Sequence, residues 1–202
     1  FVTDYAKDFF CQFGKLNGFA AVLVFLLISG YSIAHSITKK PEGFYQRRIL
    51  RIYPLYFCAV VVPLGEFLIL GPQFKLPHSD VMFIPDLWTI VGNLFFLQTL
   101  IVKTVQSNVA LWTLSIEVVC YILAPIFIKM SNRRLSYLIY SSASLYVVFP
   151  YVYHACYPHS PFPFYNHWQY GLPFCLFLWA WLLGFLYVRE PEKISSKITL
   201  IG

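Results

Sequence analysis

The chain has 202 residues, of which 58% are hydrophobic, 20% aromatic and only 12% charged, and its mean hydropathy is +0.63. About a quarter of the residues of a soluble domain are charged, so this composition excludes a soluble globular protein. The net charge of +6 does not indicate nucleic-acid binding, because the basic residues stand in short clusters between apolar runs, which is typical of membrane topology signals.

Five apolar runs are each long enough to cross a hydrocarbon core of about 30 Å as a helix. In chain order they are residues 18–38, 53–71, 111–128, 135–157 and 169–188. A sixth run, residues 87–102, would reach only about 24 Å as a helix and is interrupted by Asn93 and Gln98. The sequence therefore predicts an all-α fold over residues 1–202. We expect one polytopic transmembrane bundle with five spanning helices and one short re-entrant segment.

Two basic clusters set the predicted orientation, since Lys and Arg mark cytoplasmic loops. One cluster lies within residues 39–51 and the other within residues 129–134. Three apolar runs lie between the clusters, and an odd number of crossings cannot return a chain to the same side. We therefore expect the short sixth run not to cross. Three segments are then predicted to be outward-facing loops: residues 1–17, 72–86 and 158–168.

The segment that precedes the second spanning run contains Arg47, Arg48 and Arg51. On a helix these residues lie within an arc of about 100°, just before Pro54, which is expected to open the span. Three guanidiniums at the cytoplasmic interface suit a polyphosphate, because each can fork onto phosphate oxygens. The alternative is topology alone, in which the arginines hold the loop inside and contact membrane lipid.

Glu117 is an acid within the apolar run 111–128. An intramembrane acid is expensive and is often functional. At about 100° per residue, Thr113 and Tyr121 share its helix face and predict hydroxyl neighbours one turn away on each side, while Trp112 and Ser115 lie on the other face. The sequence leaves two interpretations open: Glu117 takes part in function, or it fixes helix packing through hydrogen bonds.

The first spanning run carries small residues at helical spacing. Ser29, Ser32 and Ser36 form one stripe, and Gly30 and Ala34 are four residues apart. Small residues at this spacing allow two membrane helices to approach closely. We therefore interpret this stripe as a packing surface.

Three segments together resemble the signatures of the acyltransferase-3 family, integral-membrane enzymes that O-acylate sugars, polysaccharides and other exported molecules. The segments are residues 25–33 (FLLISGYSI), 44–54 (FYQRRILRIYP) and 111–125 (LWTLSIEVVCYILAP). They are similar to the family patterns FF-hydrophobic-SG-aromatic, RR-x-x-R-I-x-P and W-S/T-L-S-x-E-x-x-(F/C)-Y-x-x-x-P, and they occur in the same order and spacing.

This resemblance implies an enzyme of the cytoplasmic membrane that transfers an acyl group, expected to be acetyl, from acyl-CoA to a hydroxyl of an exported acceptor such as a polysaccharide. It implies that acyl-CoA is a co-substrate whose phosphates are held by Arg47, Arg48 and Arg51, and that no metal is needed. It also implies that four residues line the transfer site or position its groups: Trp112, Ser115, Glu117 and Tyr121.

One feature of the family has no counterpart in this chain. The family's essential histidine belongs to an Arg…His pair on the helix before the Ser-Gly-Tyr span, and no such pair precedes residue 25. We therefore expect further helices in the complete protein and an inactive chain when it is taken alone. Two other interpretations stay open. The protein is a transporter or lipid-handling protein in which Glu66 and Glu117 bind a proton or substrate, or it is a non-catalytic remnant of the scaffold.

Overall fold

The computed structural model describes residues 2–70, 86–105, 110–159 and 168–190, with the side chains of 2–17, 63, 66–68 and 70 left outside the description. Six helices occupy these ranges: α1 (Val2–Lys39), α2 (Phe44–Leu70), α3 (Leu87–Leu94), α4 (Trp112–Lys129), α5 (Asn132–Cys156) and α6 (Leu172–Arg189). The described ranges contain no β-strand beyond an isolated bridge, so the predicted all-α fold is confirmed.

Four helices of the described chain are long and apolar enough to cross a membrane: Gly18–Lys39 of α1, and α4, α5 and α6. The predicted fifth span forms most of α2, and its crossing stays a prediction. Only Leu135 and Ser142 are buried along the 25 residues of α5, so most of its apolar side chains face outward. Helices that expose this much apolar surface are suited to contact with lipid.

Two helix boundaries differ from those predicted. The sequence predicts an outer loop over residues 1–17, but α1 begins at Val2; this prediction was wrong. The helix contains no proline, so every residue has a backbone N–H group that can donate a helical hydrogen bond.

The second difference is that α2 begins at Phe44 and continues through Pro54, which was expected at the start of the helix. Membrane helices tolerate an internal proline because neighbouring groups satisfy the freed backbone carbonyl.

The sixth apolar run does not form a spanning helix. Its helix α3 has 8 residues, about 12 Å in length, and the chain then reverses in a turn. The amide of Leu97 donates back to the carbonyl of Gly92 at 2.8 Å. The amide of Gly171, at the start of α6, donates to the carbonyl of Thr99 at 3.0 Å and fastens the turn to the bundle. This geometry agrees with the prediction that the run folds back.

Helix α1 packs most extensively on α6. A Cβ atom at Gly30 would overlap the carbonyl oxygen of Trp181, and one at Gly184 would overlap the carbonyl oxygen of Leu27. The two backbones are therefore in direct contact, as the small residues of α1 predict. This close approach brings the indole of Trp181 against Ser29.

Candidate active site

A buried carboxylate joins three helices of the bundle. Glu117, on α4, is only 6% exposed. Its Oε1 atom accepts a hydrogen bond from the Ser29 hydroxyl of α1 at 2.7 Å and another from the Tyr121 hydroxyl one turn along α4. From α6, the indole Nε1 of Trp181 donates to Ser29 Oγ at 3.3 Å. We call Ser29, Glu117, Tyr121 and Trp181 the Glu117 cluster.

The hydroxyl neighbours of Glu117 agree only in part with those predicted. Tyr121 contacts the carboxylate as expected. Thr113 does not, because its Oγ1 donates to the carbonyl of Ala110 at 3.0 Å, and that prediction was wrong. Ser29 supplies the second hydroxyl instead, from a position 88 residues away in the chain. Threonine near the start of a helix often bonds a local carbonyl, which leaves the carboxylate to a partner on another helix.

Sequence analysis assigned Ser29 to packing and did not single out Trp181. Neither residue carries a local signal for a polar cluster, since both lie within apolar runs. The available hint was that Ser29 lies in one of the three segments that resemble the family and belongs to the stripe that it forms with Ser32 and Ser36. Only the packing of α6 on α1 brings Trp181 to that stripe.

The Glu117 cluster lies near the predicted middle of the membrane. Ser29 is about 15 Å along α1 from Lys39, and Glu117 is about 18 Å along α4 from Lys129. Both of these lysines belong to predicted cytoplasmic ends. Half of a hydrocarbon core is about 15 Å, so the two side chains meet at roughly mid-depth.

The three arginines do not form one group. Arg47 turns back to the connection between α1 and α2 and donates to the carbonyl of Lys40 at 2.5 Å. Arg48 and Arg51 instead line a cavity together with Glu117. A shared helix arc therefore did not bring the three guanidiniums to one place, because the long arginine side chain can turn toward either helix end. The predicted phosphate contact of Arg47 stays a prediction.

Arg48 is half-buried and lies over two aromatic rings. Its guanidinium carbon is 5.8 Å from the centroid of the Phe44 ring and 5.9 Å from that of Tyr121. The Tyr45 hydroxyl donates to the carbonyl of Ile122 at 3.2 Å, and residues 43–46 line a pocket with Pro125, Ile128 and Lys129, so α2 begins beside the last two turns of α4. Arg48 thus contacts a ring of the Glu117 cluster, and its position at the cytoplasmic interface stays a prediction.

A cavity of about 400 Å³ is bounded by α1, α2 and α4. Its polar lining comprises Ser29, Ser32, Arg48, Arg51, Tyr56, Glu117 and Tyr121. The other walls are apolar and include Ile28, Leu55 and Leu114. Concave sites with apolar walls and a few convergent polar groups are the usual form of small-molecule sites. Among the described side chains, no group of three or more His, Cys, Asp or Glu is arranged to hold a metal ion.

Two of the predicted site residues lie outside this cavity. The Trp112 ring packs edge-on against Phe177, with ring centroids 5.2 Å apart. Ser115 Oγ donates to the carbonyl of Trp112 at 2.8 Å and lies 2.8 Å from Thr99 Oγ1. These contacts fasten α4 to α6 and to the turn after α3. A place for Trp112 and Ser115 in the transfer site stays a prediction.

A second set of buried polar groups joins the cavity wall to the turn after α3. The Tyr56 hydroxyl, which lines the cavity, donates to the carbonyl of Asn93 and lies 3.1 Å from Gln98 Oε1. Asn93 Nδ2 donates to the carbonyl of Lys103, and Gln98 Nε2 donates to that of Leu111. The two amides that interrupt the sixth apolar run therefore satisfy backbone groups that a reversing chain would leave unpaired.

The candidate site is thus one cavity of a helical bundle, lined by a carboxylate, hydroxyls and guanidiniums. The sequence profile of the acyltransferase-3 family, described as an acyltransferase domain, matches residues 3–202. The chain belongs to this family, and four of its described helices are suited to a membrane. The resemblance drawn from the three segments is thereby confirmed.

One curated relative is the Regulator of hypoxia-inducible factor 1 of Caenorhabditis elegans. It is 30% identical to this chain over 132 residues. The match covers 60% of the chain and 26% of the relative, so the chain spans about a quarter of the length of the relative that it matches. No solved structure matches the chain significantly.

Proposed function

We propose that this domain contributes the donor site of an O-acyltransferase that uses acyl-CoA. The acyl group, expected to be acetyl, passes to a hydroxyl of a sugar, polysaccharide or other exported acceptor. The observation that carries the proposal is the shared cavity, in which Arg48 and Arg51 lie together with the buried carboxylate of Glu117. Acyl transfer from coenzyme A needs two parts. One is a pair of cations that binds the phosphates of the donor, and the other is a group that accepts the proton of the acceptor hydroxyl.

The half-buried position of Arg48 at the cavity supports an anionic ligand. Moving a guanidinium out of water is costly unless an anion or hydrogen-bonding groups accompany it. One carboxylate, Glu117, faces two arginines across the cavity, which leaves positive charge to attract a ligand. Coenzyme A carries phosphates that guanidiniums bind through paired hydrogen bonds. Arg47, in this proposal, holds the connection that positions the other two arginines.

The transfer also needs a proton acceptor. A sugar hydroxyl is a poor nucleophile near neutral pH, so a base must take its proton as its oxygen attacks the thioester carbonyl carbon. The carbon–sulfur bond then breaks, and the coenzyme sulfur takes up a proton. Glu117 lines the cavity and can accept that proton there.

The double variant Arg48→Lys/Arg51→Lys, made in the full-length protein, tests the donor site. The positive-inside rule counts Lys and Arg alike, so the topology should not change. Lysine cannot fork onto phosphate, and losing one or more charge-assisted contacts should raise the Kd of acetyl-CoA by roughly ten- to a hundred-fold. Equilibrium binding of radiolabelled acetyl-CoA to protein in lipid nanodiscs measures this change.

The matched control is Arg133→Lys/Arg134→Lys, which alters two adjacent arginines in the other predicted cytoplasmic segment. We expect wild-type affinity for acetyl-CoA in this control. An unchanged Kd in a correctly inserted Arg48→Lys/Arg51→Lys variant would contradict the phosphate role.

A transporter remains the alternative from a different class, and Glu66, the second acid it would use, lies outside the described side chains. The two functions differ in covalent chemistry. An acyltransferase releases free CoA thiol from acyl-CoA as the acyl group moves, whereas a transporter leaves the thioester intact. A thiol-reactive dye in the reaction with acetyl-CoA therefore separates the two.

A further inference from the structure

We propose that Ser29 carries the acyl group between donor and acceptor as a covalent acyl-serine, with Glu117 as its base. The proposal rests on the proposed function and replaces direct attack of the acceptor on the thioester by two successive acyl transfers. Ser29 Oγ donates to Glu117 Oε1 at 2.7 Å, and the Tyr121 hydroxyl bonds the same carboxylate oxygen. A nucleophile in hydrogen-bond contact with a base, which a third group orients, is the general arrangement for covalent acyl transfer.

The hydrogen bonding of Ser29 differs from that of an ordinary hydroxyl in a membrane helix. Thr38 illustrates the ordinary case on the same helix, since its Oγ1 donates to the carbonyl of Ala34 at 2.7 Å. Ser29 instead directs its proton across to another helix. The Trp181 indole N–H can only donate, so Ser29 Oγ accepts from it and its own proton is left for Glu117.

The same indole supports the departure of Ser29 in the second half of the transfer. Negative charge develops on Ser29 Oγ as its bond to the acyl carbon breaks, and an N–H group fixed at 3.3 Å stabilises that charge without having to move. Trp181 is fully buried, and the contact of its backbone with Gly30 holds α6 in register with α1. The indole N–H is therefore prepositioned by the direct backbone contact between α1 and α6.

Access to Ser29 is from the cavity. Ser29 lines it together with Arg48 and Arg51, so a donor bound by these arginines can present its thioester to the hydroxyl. Ser29 is 7% exposed, which limits hydrolysis of an ester formed there. Its position at mid-depth suits a carrier, because donor and acceptor can then approach from different sides of the membrane at different times.

The two half-reactions balance. In the first, Ser29 Oγ bonds to the thioester carbonyl carbon and Glu117 takes the serine proton. The carbon–sulfur bond then breaks, and the coenzyme leaves as a free thiol with that proton. In the second, the acceptor oxygen bonds to the same carbon and Glu117 takes the acceptor proton. The bond from carbon to Ser29 Oγ breaks, and the serine recovers a proton from Glu117.

An acyl-serine predicts a partial reaction that needs no acceptor. Full-length protein in nanodiscs should exchange radiolabelled CoA into unlabelled acetyl-CoA, because the first half-reaction is reversible. Mass spectrometry of the quenched protein should find one acetyl group on the peptide that contains Ser29. Ser29→Ala should abolish acetylation of this peptide. It should also slow CoA exchange by at least about a hundred-fold, because loss of a nucleophile removes the covalent step.

Two further variants keep this test decisive. Ser36→Ala removes a hydroxyl from the same helix stripe outside the cavity lining, and we expect wild-type exchange. Ser29→Cys retains a nucleophile of similar size, so it should carry an acetyl thioester that hydroxylamine removes at neutral pH. This result would support the proposal even if Ser29→Ala failed to fold.

The binding of acetyl-CoA separates the possible failures. If the wild-type protein binds acetyl-CoA but neither exchanges CoA nor carries acetyl on Ser29, the acyl-serine is wrong and the donor site stands. If exchange persists undiminished in folded Ser29→Ala, the acyl-serine is likewise wrong. If the wild-type protein does not bind acetyl-CoA, the proposed function fails and the acyl-serine fails with it.

Discussion

Replacing Glu117 by glutamine separates chemistry from packing at the centre of the bundle. Glutamine has nearly the same shape and keeps an Oε1 acceptor for the hydroxyls of Ser29 and Tyr121. Each of these bonds changes from charge-assisted to neutral, which is a loss of about 1 kcal/mol per bond and about 2 kcal/mol for the pair. Loss of a general base instead costs about a hundred- to ten-thousand-fold in turnover. We therefore expect turnover of acyl-CoA to fall by at least about a hundred-fold in a protein that still folds.

The assay is release of CoA thiol or transfer of radiolabelled acetyl by the full-length protein, with insertion checked by extraction and size-exclusion behaviour. Glu42→Gln is the matched control, because Glu42 is an exposed acid in the connection between α1 and α2. Its turnover should be unchanged. Near-wild-type turnover by a correctly inserted Glu117→Gln variant would refute the base assignment and leave Glu117 as a residue that only fixes helix packing.

Three further predictions concern the scaffold. Gly30→Val should force α1 away from the carbonyl of Trp181, costing about 1–3 kcal/mol and lowering the thermal midpoint of the full-length protein; an unchanged midpoint would contradict the close contact. Asn93→Ala should leave the carbonyl of Lys103 and the amide of Val105 without their side-chain partner, costing about 1–3 kcal/mol and increasing proteolysis of the turn after α3. Cysteine labelling should place residues 40–46 and 130–134 on the same side of the membrane, whereas opposite labelling would mean that the sixth apolar run crosses.

The secondary structure could be predicted from the sequence because lipid leaves the backbone little choice. An apolar run that must satisfy its own backbone hydrogen bonds becomes a helix, so run length and polar interruptions are sufficient to locate α4 to α6 within a few residues. The same argument distinguishes the short run that forms α3. Boundaries outside the hydrocarbon core follow weaker rules, and there the predictions for residues 1–17 and Pro54 were wrong.

The family could also be predicted, since three ordered segments carry its signature and the profile match over residues 3–202 confirms it. Sequence reasoning placed Glu117 and Tyr121 on one helix face, and the structure joins them by a hydrogen bond. Residues one turn apart on a helix are within reach of each other whatever the rest of the fold. That part of the candidate site needed no tertiary information.

The remaining partners were decided only by tertiary packing. Ser29 reaches Glu117 across 88 residues of sequence, and Trp181 reaches Ser29 across 152. Helical periodicity predicts which residues share a helix face, but it does not predict which other helix packs on that face. It also does not show where a long side chain lies: Arg47 bonds the connection between α1 and α2, whereas the neighbouring Arg48 contacts the ring of Tyr121. The site forms where close packing of α1 on α6 and on α4 leaves one hydroxyl between a carboxylate and an indole.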